Sequence, residues 1–177
     1  MQVLADQEHV NRLIDELAGK VREDIARLEE PPAMVGIRSR GDELARRLAD
    51  RLGIGEVGAV DITLYRDDLS EVGPQPVVRT TEVPFDVAGR QIVLVDDVLM
   101  TGRSVRAALE SLMALGRPRR VWLCVLVDRG GRELPIVADQ VGMDLTDRAS
   151  DQQRVKVHLT PTDSQDRIVL EPMEPAP

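Results

Sequence analysis

Two adjacent carboxylates, Asp96 and Asp97, directly follow the apolar run at residues 92–95, and the polar run Thr101, Gly102, Arg103, Ser104 comes shortly after them. An apolar strand that gives way to a helix puts such residues at a strand's carboxyl end, where ligands gather in open α/β sheets. Residues 101–104 would present backbone N–H groups at a helix N-terminus, where unpaired donors and the helix dipole both favour a phosphate. Gly102 permits close approach, and the hydroxyls of Thr101 and Ser104 add donors. The carboxylates suit another part of the same ligand. They can accept hydrogen bonds from a ribose diol, or hold Mg²⁺ directly or through water. Acid, acid, then phosphate loop is the order expected for a sugar phosphorylated at one end and carrying a vicinal diol.

A phospho-acceptor aspartate would need a lysine at another strand end. The chain has only Lys20, on the first predicted helix, and Lys156, in a late alternating segment. A second anion site is expected at residues 38–41, RSRG, a turn between a short apolar strand and a helix N-terminus. The run GIGEVG at residues 53–58 matches a dinucleotide fingerprint by letter but has a helix before it and a strand after it, the reverse of what that motif needs. Arg117, Arg119 and Arg120 sit where cations commonly complement a helix C-terminus. Cys124 lies inside an apolar run and reads as a buried structural thiol.

Around these residues the spacing of Val10, Leu13, Ile14, Leu17, Val21, Ile25 and Leu28 predicts a helix over residues 6–29, stopped by Pro31 and Pro32. A strand is expected at 33–37, then a helix carrying Leu44, Ala45, Leu48 and Leu52 and ending at Gly53. Val60, Ile62 and Leu64 alternate as a strand, followed by a long excursion at 66–84. Residues 92–95, 104–115 and 121–127 read as a βαβ unit, with further strands near 136–141, 154–159 and 168–170. The fold class expected is α/β, a mainly parallel twisted sheet flanked by helices with a small irregular hood. Residues 1–170 would form one domain and 171–177 a loose tail.

The segment VLVDDVLMTGRS resembles the 5-phosphoribosyl-1-pyrophosphate (PRPP) signature of type I phosphoribosyltransferases. With VGIRSRG at 35–41, DITLYRDDLS at 61–70 and VLVDRGGRELPI at 125–136, the chain is more particularly similar to the PyrR family of pyrimidine operon regulators that are also uracil phosphoribosyltransferases. The resemblance implies a PRPP site made of Ser39, Arg40, Gly41, Asp96, Asp97, Val98, Leu99, Met100, Thr101, Gly102, Arg103 and Ser104. In it Asp96 and Asp97 hold the ribose hydroxyls and Mg²⁺, residues 101–104 the 5-phosphate, and Ser39, Arg40 and Gly41 the pyrophosphate. Asp96, Asp97 and Arg40 are the residues implied in catalysis. Arg79 and the 66–84 excursion look like a flexible loop closing over PRPP, and Arg129 and Val155 like the nucleotide and uracil side.

The same resemblance implies partners beyond PRPP, uracil and UMP: leader mRNA of pyrimidine genes, bound when UMP is present, and a second copy of the chain in a homodimer or higher homo-oligomer. Arg12, Arg132 and Arg148 would supply the basic RNA patch. The chain departs from the family pattern at Gly19 and Gly131, where relatives commonly carry His, at Met100, often Tyr, and in the acidic late loop TDRAS at 146–150. An enzyme of the same fold that has lost RNA binding, or uses another nucleobase, is the alternative.

Composition agrees with a globular chain: 177 residues, 42% hydrophobic and 31% charged. A net charge of −8 repels polyanions overall, so RNA binding would need a local basic face. The apolar runs are far shorter than the roughly 20 residues of a membrane span, no secretory signal pattern opens the chain, and a cytoplasmic protein is expected.

Overall fold

The computed structural model describes residues 1–62, 81–150 and 152–173. Eleven elements follow in chain order: β1 Gln2–Ala5, α1 Gln7–Ile25, β2 Ala33–Ile37, α2 Gly41–Leu52, β3 Val57–Val60, β4 Gln91–Leu99, α3 Arg103–Leu115, β5 Arg120–Asp128, β6 Gln140–Asp144, β7 Gln153–His158 and β8 Arg167–Pro172. Five strands form a parallel sheet in the order β3-β2-β4-β5-β6, and a separate sheet has the order β1-β8-β7, antiparallel throughout. The chain is thus α/β, as its hydrophobic periods imply.

Helices α1 and α2 pack on one face of the parallel sheet over a core that includes Val10, Leu17, Leu44, Leu48, Val93, Cys124 and Leu126, and the small sheet adds Val157, Leu159 and Ile168 to it. Helix α3 covers the other face through Val105, Ala108 and Leu112, packed with Ile92, Leu94 and Val125. Asp6 caps α1 by accepting from the His9 N–H at 2.9 Å. Gly53 ends α2 in the left-handed conformation, φ 67°. The GIGEVG run is the connection from α2 to β3, and Arg120 lies over the Trp122 ring at 4.6 Å. Cys124 is buried, and burial pushes its thiol up to about 12, so it is a packing residue.

Five expectations change. The helix expected over residues 6–29 ends at Ile25, and Leu28 donates its N–H to the Ile25 carbonyl in the turn that follows. The C-terminal addition is not irregular: β7 and β8 form a hairpin whose open edge is paired by β1, a strand of only four residues that carries too little pattern to read. The strand expected around residues 60–64 ends at Val60; Ile62 is buried beyond it, and Leu64 lies outside the described residues. The strand expected at 136–141 begins only at Gln140, because the preceding residues form a return. There Asp139 donates its N–H to the Leu123 carbonyl and accepts the Leu123 N–H at 2.7 Å. Finally, β8 runs through Glu171 and Pro172, which had read as tail. Among the described residues no helix is long and apolar enough to cross a membrane.

Candidate active site

The site begins with unequal strand lengths. Strand β2 pairs with β4 only as far as Gly36 opposite Val95, whereas β5 stays paired with β4 through Leu99 opposite Asp128. Asp96 and Asp97 therefore lie within β4 rather than in a turn after it, alongside β5 and past the end of the β2 pairing. The turn at residues 38–41 folds in beside them. Gly41 is its closest approach: a Cβ there would stand 2.6 Å from the Val95 carbonyl oxygen and 3.1 Å from the Asp96 Cα. Gly36 is equally tight, its notional Cβ 2.3 Å from the Asp42 Cα, so strand and helix meet with no side chain between them.

Arg38, Ser39, Arg40, Asp96, Asp97 and Ser104 come together around a polar cleft of about 90 Å³. Asp96 is buried, and its Oδ1 accepts the Asp97 N–H at 2.9 Å. Asp97 and Ser104 are half-buried. Gly102, φ 91°, caps α3 with its backbone, and its carbonyl accepts the Arg106 N–H at 3.0 Å. This left-handed turn at a helix N-terminus is the form of a phosphate-binding loop. A wider cavity of about 460 Å³ shares Arg38 and runs along β3 past Asp42 and Glu82, but includes neither the acid pair nor this loop.

The segment after β5 holds the loop in place. The Thr101 carbonyl accepts the N–H groups of Glu133 and Leu134 at 3.0 and 3.1 Å, and Arg103 Nε meets Glu133 at 2.7 Å. Arg132 donates to the Met100 carbonyl at 2.9 Å and the Ile136 carbonyl at 2.8 Å, and pairs with Asp128. Arg132, expected among the RNA-facing cations, is partly exposed, and its guanidinium ties the segment after β5 to the Met100 carbonyl. Arg129 is also turned inward, 2% exposed, donating to the carbonyls of Ser150 and Gln153 at 2.6 Å each. It clamps the segment before β7 instead of standing open to a nucleotide. The Gly131 backbone, φ 79°, lies so close that a Cβ would be 2.6 Å from Arg129 Nη1.

Arg40 lines the cleft, but its guanidinium forks onto Asp163, Nε to Oδ2 at 2.9 Å and Nη2 to Oδ1 at 3.0 Å. Burial works against ionised Asp163. The hydrogen bonds from Arg40, the Leu159 N–H and His158 outweigh it and hold the carboxyl well below the usual carboxylate range. Asp163 is a residue that sequence reasoning missed, since a lone Asp in a turn carries no motif. Val155 is half-buried in β7 opposite Leu170. Val98, Leu99 and Met100 carry β4 into the phosphate loop. Arg79 and residues 66–80 of the excursion lie outside the described residues; the chain returns to pair Glu82 with Ala59.

Arg148 is exposed and, with His9, Gln2, Leu4 and Met143, borders a cavity of about 300 Å³. Arg12, one turn after His9, is paired with Glu8 at 2.7 Å. The start of α1 and the late loop thus share one side of the molecule.

Among the described residues, no three Asp, Glu, His or Cys side chains gather into a metal site. Mg²⁺ commonly takes one or two carboxylates plus phosphate oxygens of a substrate, and the pair Asp96 and Asp97 fits that pattern.

Comparison with known proteins agrees with this arrangement. The model of the phosphoribosyl transferase domain matches residues 2–160. The bifunctional protein PyrR of Elusimicrobium minutum is 45% identical over 174 residues, 96% of either chain, and that of Chloroflexus aurantiacus 48% identical over 174 residues, 96% of this chain and 93% of the relative. A purine phosphoribosyltransferase from Pyrococcus horikoshii is 26% identical with a TM-score of 0.60, covering 77% of this chain and 83% of its own. The hypoxanthine phosphoribosyltransferase of Trypanosoma cruzi, 17% identical with a TM-score of 0.66 over 98% of both chains, shares the fold. With its acid pair, phosphate loop and facing turn on a five-stranded parallel sheet, the chain belongs to the phosphoribosyl transferase family, and within it to the PyrR proteins.

Proposed function

We propose that the protein forms UMP and pyrophosphate from uracil and PRPP, and that UMP then promotes its binding to leader mRNA of pyrimidine genes. The observation that carries the enzymatic reading is the cleft in which Asp96 and Asp97 face the 38–41 turn, with Ser104 at the start of α3 alongside. The uracil acceptor and the RNA partner rest on the PyrR relationship.

In this reading the backbone donors and hydroxyls of residues 101–104 hold the 5-phosphate at the start of α3. Asp96 and Asp97 fix the ribose hydroxyls, and their charge favours the positive character that develops at the anomeric carbon. Ser39, Gly41 and Arg40 receive the pyrophosphate. Uracil N1 bonds to that carbon as the bond to the pyrophosphate oxygen breaks, with the N1 proton leaving to solvent. Mg²⁺ held at Asp96 and Asp97 would supply charge neutralisation for the departing pyrophosphate. Val155 and the start of β7 border the uracil side, and no covalent nucleophile is required. Positioning and charge carry the acceleration.

The test is pyrophosphate release from PRPP. Wild-type protein should release it only when uracil is present, and Asp97→Asn should lose that activity by about 100-fold or more, the size of removing one preorganised charge contact, while circular dichroism stays unchanged. Release with a purine base and none with uracil would overturn the acceptor.

A further inference from the structure

Two arginines of the α2 region reach across to the turn between β7 and β8. Arg40, the residue before α2, forks onto Asp163, and Arg47 binds Asp166 and the Thr160 carbonyl. Asp163 and Asp166 are three residues apart in that turn, so the pyrophosphate turn and the hairpin of the small sheet are joined by two guanidinium clamps.

The two clamps differ in where their arginine points. Arg47 does not line the cleft, whereas Arg40 does. A guanidinium carries five N–H donors in one plane. Asp163 takes two of Arg40's, on Nε and one side of Nη2, along one edge of that plane. The other three, on Nη1 and the far side of Nη2, have no partner among the described residues. Asp163 is itself held on both oxygens: Oδ2 accepts the Leu159 N–H at 2.8 Å, and Oδ1 lies 3.1 Å from His158 Nδ1. Its side chain is 15% exposed. Asp97 also attracts Arg40 across the cleft.

We propose that Asp163 is a positioning residue for pyrophosphate. It fixes the Arg40 guanidinium by one edge so that the other edge is set toward the diphosphate of PRPP, and it keeps that guanidinium from collapsing onto Asp97. His158 orients Asp163 in turn. This rests on the reading of Arg40 as a pyrophosphate contact, and assigns the hairpin of the small sheet a part in leaving-group binding. Long arginine side chains lose considerable rotamer freedom when they bind, and a preset fork loses less of it per contact formed.

UMP supplies the comparison, because it has a base, a ribose and a 5-phosphate but no pyrophosphate. Affinities of the full chain for magnesium pyrophosphate and for UMP are measured by calorimetry in wild type, Asp163→Asn, Asp163→Glu and Arg40→Ala. Both Asp163 variants are expected to weaken pyrophosphate by about 10- to 100-fold, the scale of a misplaced contact group, and to raise the KM for PRPP more than they lower kcat. UMP affinity should stay within about twofold of wild type, RT ln 2 being a small fraction of the tenfold step. Asp163→Glu keeps the charge and serves if the Asn variant is unfolded. Equal loss of UMP and pyrophosphate would mean that Asp163 merely holds the hairpin, and unchanged pyrophosphate binding would also overturn the proposal. If Arg40→Ala itself binds pyrophosphate normally, the reading of Arg40 fails; if Arg40→Ala loses it and the Asp163 variants do not, positioning alone fails.

Discussion

Gly41 shows how little latitude single residues have here. Its missing Cβ is what lets the 38–41 turn lie against Val95 and Asp96. Gly41→Ala should therefore push the turn off the acid pair, at about 1–3 kcal/mol of overpacking, seen as a lower Tm together with a raised KM for PRPP. Asp166 makes a different prediction. It is buried; burial alone would favour its protonated form, but Arg47 and the Thr160 N–H and hydroxyl prevail and lower its pKa in the folded state. Below about pH 4, the ordinary range of an unfolded aspartate, the unfolded chain binds the proton first. The stabilising contribution of Asp166 is therefore present above that pH and falls away as the pH drops toward its folded value. Urea unfolding followed from pH 5 to pH 2 should show stability falling in wild type and a shallower fall in Asp166→Asn. Asp163 titrates in the same direction, so a double variant should be shallower still. The arginines show what residue identity leaves open: Arg132 and Arg148 both read as RNA-facing cations, yet the first is turned to the Met100 and Ile136 carbonyls and the second out to solvent, a difference set by the backbone acceptors within reach.

At the scale of elements, the decisive feature is that β4 outruns β2. The apolar run at 92–95 makes the strand legible but not its end, because aspartate has low strand propensity, yet the strand continues through Asp96 and Asp97 alongside β5. The left-handed turn at the start of α3 was legible, since Gly102 between Thr101 and Arg103 states its local geometry. Helices α2 and α3 follow their 3.6-residue apolar spacing closely, whereas α1 stops at Ile25, short of the Leu28 that closes its apolar pattern. The small sheet was not legible as a sheet, because β1 lies at one end of the chain and its partner β8 near the other. The pairing of β1 depends on tertiary closure, whereas β7 and β8 pair locally as a hairpin. The meeting of β2 and α2 gives the test at this scale. Gly36→Ala places a methyl group 2.3 Å from the Asp42 backbone, where no rotamer can relieve it. Destabilisation of about 3 kcal/mol, the upper range of overpacking, is expected in thermal melts, and larger than for Gly19→Ala, where nothing lies within 4 Å of the added carbon.

For the whole molecule, the question is how a chain with net charge −8 could bind RNA and let UMP control it. Bulk charge opposes the complex, so a local patch of a few cations must supply the attraction; the exposed Arg148, and Arg12 where RNA displaces its partner Glu8, are the expected contributors on the side that the start of α1 shares with the late loop. That side is linked to the nucleotide cleft through Arg129, whose N–H binds the Leu99 carbonyl at 2.9 Å beside the phosphate loop and whose guanidinium holds Ser150 and Gln153, in the segment following Arg148. If UMP tightens leader RNA by some factor, thermodynamic linkage requires the RNA to tighten UMP by the same factor. Two titrations check this: leader RNA against protein with and without saturating UMP, and UMP against protein with and without saturating RNA. The two ratios should agree, within the roughly 5- to 150-fold range usual for coupled sites. Arg129→Lys keeps the backbone bond to Leu99 but should bring both ratios toward one, because a lysine cannot hold the Ser150 and Gln153 carbonyls together as a planar fork does. With so few cations in reach, log Kd should vary shallowly with log salt, at about 0.7 per phosphate contact on a single strand. Unequal ratios, or the same affinity for an unrelated RNA, would exclude UMP-controlled recognition of the leader by this side of the molecule.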